Sequence, residues 1–89
     1  MANMVATHAV GDMNLWLSKG VERKALFASF CSTYRIYKHR DSNRVSIVSE
    51  NVDLEKMQAA LSSPEMAAAM EAHTVLPPVE FYIEITGAK

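Results

Sequence analysis

Residues 30–50 read Phe-Cys-Ser-Thr-Tyr-Arg-Ile-Tyr-Lys-His-Arg-Asp-Ser-Asn-Arg-Val-Ser-Ile-Val-Ser-Glu. Residues 30–38 have the aromatic and β-branched content of a strand. Asp41-Ser42-Asn43 is a turn, because Asp and Asn tolerate turn geometry and hydrogen-bond the local backbone. Residues 44–50 return as a second strand, centred on Val45, Ile47 and Val48. This hairpin sits mid-chain, so the fold turns on what flanks it.

Before the hairpin, Met13, Trp16, Leu17, Gly20 and Val21 recur at i, i+3, i+4, i+7 and i+8, one apolar stripe on a helix. Asp12 is its candidate N-cap, and Gly20 implies close packing, since glycine there costs about 1 kcal/mol relative to alanine. Residues 4–10, short and apolar before Gly11, form a strand. After the hairpin, Leu54, Met57 and Leu61 mark a second helix. Ser63-Pro64-Glu65 restarts it with a serine cap, a proline at the first position and an acid in the first turn. The restarted helix carries Met66, Met70 and His73 on one face, and Pro77-Pro78 forbids its continuation. Residues 79–86 alternate, with Val79, Phe81, Ile83 and Ile85 on one side and Glu80, Tyr82 and Glu84 on the other.

The expected order is therefore β-α-β-β-α-α-β, an α+β, ferredoxin-like chain with a four-stranded antiparallel sheet, in one domain over residues 1–89. One face of the sheet receives the helices. The other carries Glu80, Tyr82 and Glu84 with Thr33, Arg35 and Tyr37, too aromatic for plain exposure to water, so the sheet of a second copy is expected to cover it in a homodimer. In that space Arg35 is expected to pair with Glu80 or Glu84, in its own chain or in the partner copy.

Composition narrows the function classes. The 89 residues are 49% hydrophobic and 21% charged, as in globular chains, and bury only about 60–65% of the unfolded surface, which favours a partner copy. No apolar run approaches the ~18 residues of a membrane span. Cys31 is the only cysteine, which excludes an intrachain disulfide, fits a cytoplasmic setting and reads as a buried, inert thiol. Residues 1–44 hold seven basic and three acidic residues, and residues 45–89 two basic and seven acidic, yet the net charge is −1. Interleaving of the two halves is favoured over a nucleic-acid face. The third strand lacks the aromatics that stack RNA bases. Cys-x-x-Cys, His-x-His, phosphate-loop and dinucleotide patterns are absent, so no metal and no cofactor are expected.

In length and element order the chain resembles the dimeric α+β barrel superfamily, the group of antibiotic-biosynthesis-monooxygenase-like small domains. The resemblance is sharpest at Asp12-Met13-Asn14-Leu15-Trp16 and at Ala60-Leu61-Ser62-Ser63-Pro64-Glu65-Met66. It implies the barrel fold; activities in the group are diverse. Quinol-type monooxygenases of the group often place a histidine where this chain has Ala60. Haem-degrading members place a tryptophan ten residues ahead of a helix histidine, and the position ahead of His73 is Ser63.

Histidine titrates near neutral pH without perturbation. His73 is the candidate catalytic group. The candidate ligand pocket, between helices and sheet, takes Trp16, Met57, Met66 and Met70 as walls and His8 and Tyr34 as polar groups. Two functions remain open. One is a homodimer binding a small aromatic or enolisable molecule as a cofactor-independent monooxygenase-like enzyme. The other is a non-catalytic dimerisation or ligand-sensing module. A polar-ended cavity beside Trp16 and His73 favours the first, and a filled core favours the second.

Overall fold

A computed structural model describes residues 2–87, so the ends of the expected 1–89 domain lie outside the described residues. The elements are β1 (Ala2–Val10), α1 (Met13–Ser18), α2 (Gly20–Phe27), β2 (Thr33–Lys38), β3 (Arg44–Val52), α3 (Leu54–Leu61), α4 (Pro64–Ala72) and β4 (Val75–Ile83). The strands form one sheet in the order β2-β3-β1-β4, and every neighbouring pair is antiparallel. This is the ferredoxin-like α+β arrangement.

The strand expected over residues 30–38 begins at Thr33, because Phe30 turns into the core with its N–H donating to the Phe27 carbonyl, and two further stretches differ from the sequence expectation. The first crossover holds two helices rather than one. The chain breaks at Lys19, whose backbone (φ −95°, ψ 20°) ends α1 and begins α2. The break resets the helical phase, so the expected stripe is not the buried face. Leu17 is 57% exposed and Val21 82%, while Trp16 is buried. Gly20 is not a close-packing glycine, for a Cβ added there meets nothing within 4 Å.

The second such stretch is β4, which starts at Val75, runs through Pro77 and Pro78, and ends at Ile83 rather than Thr86. Prolines cannot donate to a ladder, but β4 is an edge strand, where this is tolerated. The β1–β4 register shifts between Thr7, opposite Glu80, and Ala9, opposite Leu76. Pro77, Pro78 and Val79 thus bulge opposite His8 alone, and such irregularities often re-aim side chains beside functional sites.

The expected caps are present. Asp12 accepts from the Leu15 N–H at 3.1 Å, and Ser63 accepts from the Met66 N–H at 3.1 Å with Pro64 at the start of α4. Helices cover one face of the sheet. Two buried groups fill the space between: Met4, Phe30, Val52 and Met66 in one, Val10, Trp16, Val45 and Ile47 in the other. Across the opposite face run rows of paired residues, Tyr37–Ser46–Thr7–Glu80 and Arg35–Val48–Val5–Tyr82. No helix among the described residues is long and apolar enough to cross a membrane.

Arg35 pairs with Glu50, Nη1 to Oε1 at 2.6 Å, and not with Glu80 or Glu84 of its own chain. The strand order explains this correction. β2 and β4 occupy opposite edges, whereas Glu50 lies two residues along β3 from Val48, the register partner of Arg35. Glu80 faces Arg44 instead, at 4.0 Å.

Candidate functional site

The two buried groups leave a cavity of about 70 Å³ between them, lined by Trp16 and Ile47 of one and Met66 of the other. His8, Arg23 and His73 reach it as polar groups, and Val79 and Phe81 of β4 form the wall beside the bulge. Phe81 is 43% exposed, so that wall borders the outside.

His8 stands on the helix-facing side of β1, where the period-two alternation also places Met4 and Val10. Its Nδ1 lies 2.9 Å from the Ala9 carbonyl oxygen. A carbonyl only accepts, so Nδ1 carries the proton in the neutral ring and Nε2 keeps its lone pair. Burial lowers the His8 pKa below its ordinary 6.5. Arg23 and Arg44 add to the effect, and the Ala9 hydrogen bond opposes it. At neutral pH the ring is an uncharged base, set edge-on to Trp16 with ring centroids 5.9 Å apart.

His73 caps the C-terminus of α4 and is buried. Burial lowers its pKa as well, with Arg23 and Lys19 contributing and Glu22 opposing. The next residue, Thr74, has φ 59°, a left-handed conformation that a β-branched residue rarely adopts and that costs about 1–3 kcal/mol. The β1–α1 connection holds it there. Gly11 N–H donates to the Thr74 carbonyl at 2.8 Å, and Asp12 N–H donates to Thr74 Oγ1 at 3.0 Å. This clamp fixes where α4 ends, and with it the position of His73.

Arg23 is the residue that sequence reasoning missed. It is only 4% exposed, with its guanidinium carbon 3.6 Å from the Trp16 ring centroid, and its Nη2 donates to the Trp16 carbonyl at the end of α1. A desolvated cation on an indole face gains about 2 kcal/mol. The ion pairs among the described residues are Arg35–Glu50, Arg40–Asp41 and Arg44–Glu80, and none includes Arg23. No spacing in the sequence signals it, because the break at Lys19 resets the helical phase between Trp16 and Arg23.

Of the residues expected in the pocket, the structure brings together His8, Trp16, Met66, Met70 and His73. Two lie elsewhere. Tyr34 packs against Phe27, ring centroids 4.9 Å apart, beside the second buried group, and burial raises its pKa. Met57 packs against the group of Met4, Phe30, Val52 and Met66. Cys31 is partly buried with its thiol pKa raised by burial, the opposite of what a nucleophile needs. Among the described residues no three His, Cys, Asp or Glu side chains converge as metal ligands do.

No protein-family model matches this chain, and no curated protein matches it in sequence. Solved structures match nearly its whole length. An antibiotic biosynthesis monooxygenase superposes with a TM-score of 0.69 at 9% identity, covering 99% of this chain and 100% of that one. SnoaB, a cofactor-independent oxygenase from Streptomyces nogalater, gives 0.63 at 15% identity over 99% of this chain and 93% of its own. PA3566 from Pseudomonas aeruginosa gives 0.59 at 18% identity over 98% and 94%. Identities this low establish the fold. The chain has the ferredoxin-like α+β fold of these proteins.

Proposed function

We propose that this protein is a homodimer that binds a small aromatic or enolisable molecule in the cavity beneath its helices and oxidises it with molecular oxygen, without a bound cofactor. The observation that carries the proposal is the pairing of an uncharged base with apolar walls. His8 Nε2 is free to accept a proton, and Trp16, Met66 and Met70 surround the space where a ring would sit. The cavity is about half the ~150 Å³ that holds benzene in an engineered protein core. A ring therefore enters by displacing the flexible methionines or the partly exposed Phe81.

In this scheme His8 takes a proton from an acidic methylene beside an electron-rich ring. The carbanion reduces O2 and forms a carbon–oxygen bond. Loss of water from the resulting hydroperoxide leaves a ketone, so that the CH2 and O2 become C=O and H2O. The electrons come from the substrate alone. His73, the catalytic candidate of the sequence, lines the same cavity and contacts the ligand, while His8, whose tautomer the Ala9 carbonyl fixes, is the base. The structurally similar oxygenase of Streptomyces nogalater, described as cofactor-independent, supports this direction.

Oxygen uptake and product mass test it. Aromatic ketones with an acidic methylene, supplied aerobically without added cofactor, are expected to exchange two hydrogens for one oxygen atom per turnover, with one O2 consumed. His8→Ala is expected to slow turnover by about 10²–10⁴-fold, the range for loss of a general base. Saturable binding without any turnover would replace the enzyme with a ligand-sensing module.

A further inference from the structure

A guanidinium excluded from water is costly unless an anion offsets its charge. Arg23 is excluded from water and has no carboxylate partner among the described residues. Its contacts are a ring face and one carbonyl, both uncharged. The charged groups around it do not neutralise it. His8 from β1 and His73 from the end of α4 are kept neutral, Tyr34 from β2 is held protonated by burial, Lys19 is a like charge, and Glu22 on the same helix attracts the cation only from an exposed position, with no ion pair between them. The cation borders the cavity.

We infer that Arg23 is the counter-ion for the ligand: the cavity stabilises the oxyanion of its aromatic or enolisable molecule, a phenolate or, once His8 has taken the methylene proton, an enolate, with the charged oxygen at the guanidinium. This rests on the proposed use of the cavity as a ligand site and adds the ionisation state it selects. One cation fits one charged oxygen, and the apolar walls fit the ring that bears it. The arrangement also suits proton removal by His8, since the negative charge that develops on the substrate falls beside a fixed positive one in a water-poor space. Arg23 is thereby a specificity residue, and its place on Trp16 keeps the guanidinium oriented when the site is empty.

The probe is 4-nitrophenol, which ionises near neutral pH and whose absorbance reports its charge. Its neutral isostere is 4-nitrotoluene. At pH 8, where both imidazoles are uncharged, titration calorimetry on the wild-type protein is expected to show the phenolate binding at least about tenfold more tightly than 4-nitrotoluene, the scale of one charge-assisted hydrogen bond. Bound 4-nitrophenol is expected to remain yellow to lower pH than the free compound. Arg23→Lys, which keeps the charge, retains the preference, and Arg23→Met, which keeps the volume, brings the ratio near one. The wild-type absorbance measurement stands even if Arg23→Met does not fold. Equal binding of the two compounds overturns the inference while leaving the ligand site intact. Binding of neither overturns the ligand site as well, and tighter binding of 4-nitrobenzoate than of the phenolate replaces the oxyanion class with carboxylates.

Discussion

His8, His73 and Arg23 lie around one small space, and their mutual influence sets how the protein responds to pH. Burial and the nearby Arg23 hold both imidazoles below the ordinary 6.5 in the folded chain, while the unfolded chain titrates near 6.5. Below that pH the unfolded state binds more protons than the folded one, so stability falls as pH falls. Thermal melting is expected to be flat between pH 8 and 7 and to drop from about pH 6.5 downward. His73→Gln is expected to shallow that drop, and an unchanged profile would mean that His73 is not buried in solution. The site was partly legible in the sequence for a physical reason. Trp16, Met66, Met70 and His73 follow helical periodicity, and His8 follows strand alternation, so position along the chain decides their face. Arg23 was hidden because composition treats arginine as a surface residue, and only its stacking on Trp16 makes burial tolerable.

Local chemistry sets the elements where a cap or a proline acts alone. Ser63 and Pro64 mark the α3–α4 break by their own cap chemistry, so Ser63→Ala is expected to lower stability by about 1 kcal/mol in chemical denaturation. Gly20 gives the opposite sign. An added methyl meets no neighbour within 4 Å and the residue opens a helix, so Gly20→Ala is expected to stabilise by about 0.4–1 kcal/mol, and a loss instead would show a contact at Gly20. The hairpin and its flanking strands were readable because Asp41-Ser42-Asn43 and the β-branched runs carry their own preferences. The Lys19 break and the run of β4 through two prolines were not. The first is fixed by how α2 lays Arg23 on Trp16, and the second by the edge position of β4, both consequences of tertiary placement.

For the molecule as a whole, the proposed homodimer rests on the face of the sheet away from the helices. Tyr37 and Tyr82 are each 55% exposed there, beside Val5, Val48 and the Arg35–Glu50 pair. A second sheet laid on this face buries them, and light scattering at micromolar concentration is expected to give twice the chain mass of 9.9 kDa. Arg35→Met, which keeps volume over the interface, is expected to weaken the dimer less than Arg35→Ala; a monomeric wild type would remove the interface. The cavity lies on the other side of the sheet, so the proposed interface leaves His8, Arg23 and Trp16 uncovered. Trp16 is the only tryptophan in the sequence, 1% exposed in the wall of that cavity, and its fluorescence reports occupation directly. Titrating the protein with a panel of phenols and quinols is expected to shift or quench this emission saturably for at least one of them, with the fold unchanged by circular dichroism. Emission that stays unsaturated across the panel while the protein remains folded would contradict a ligand site and leave the space beside Trp16 as imperfectly packed core.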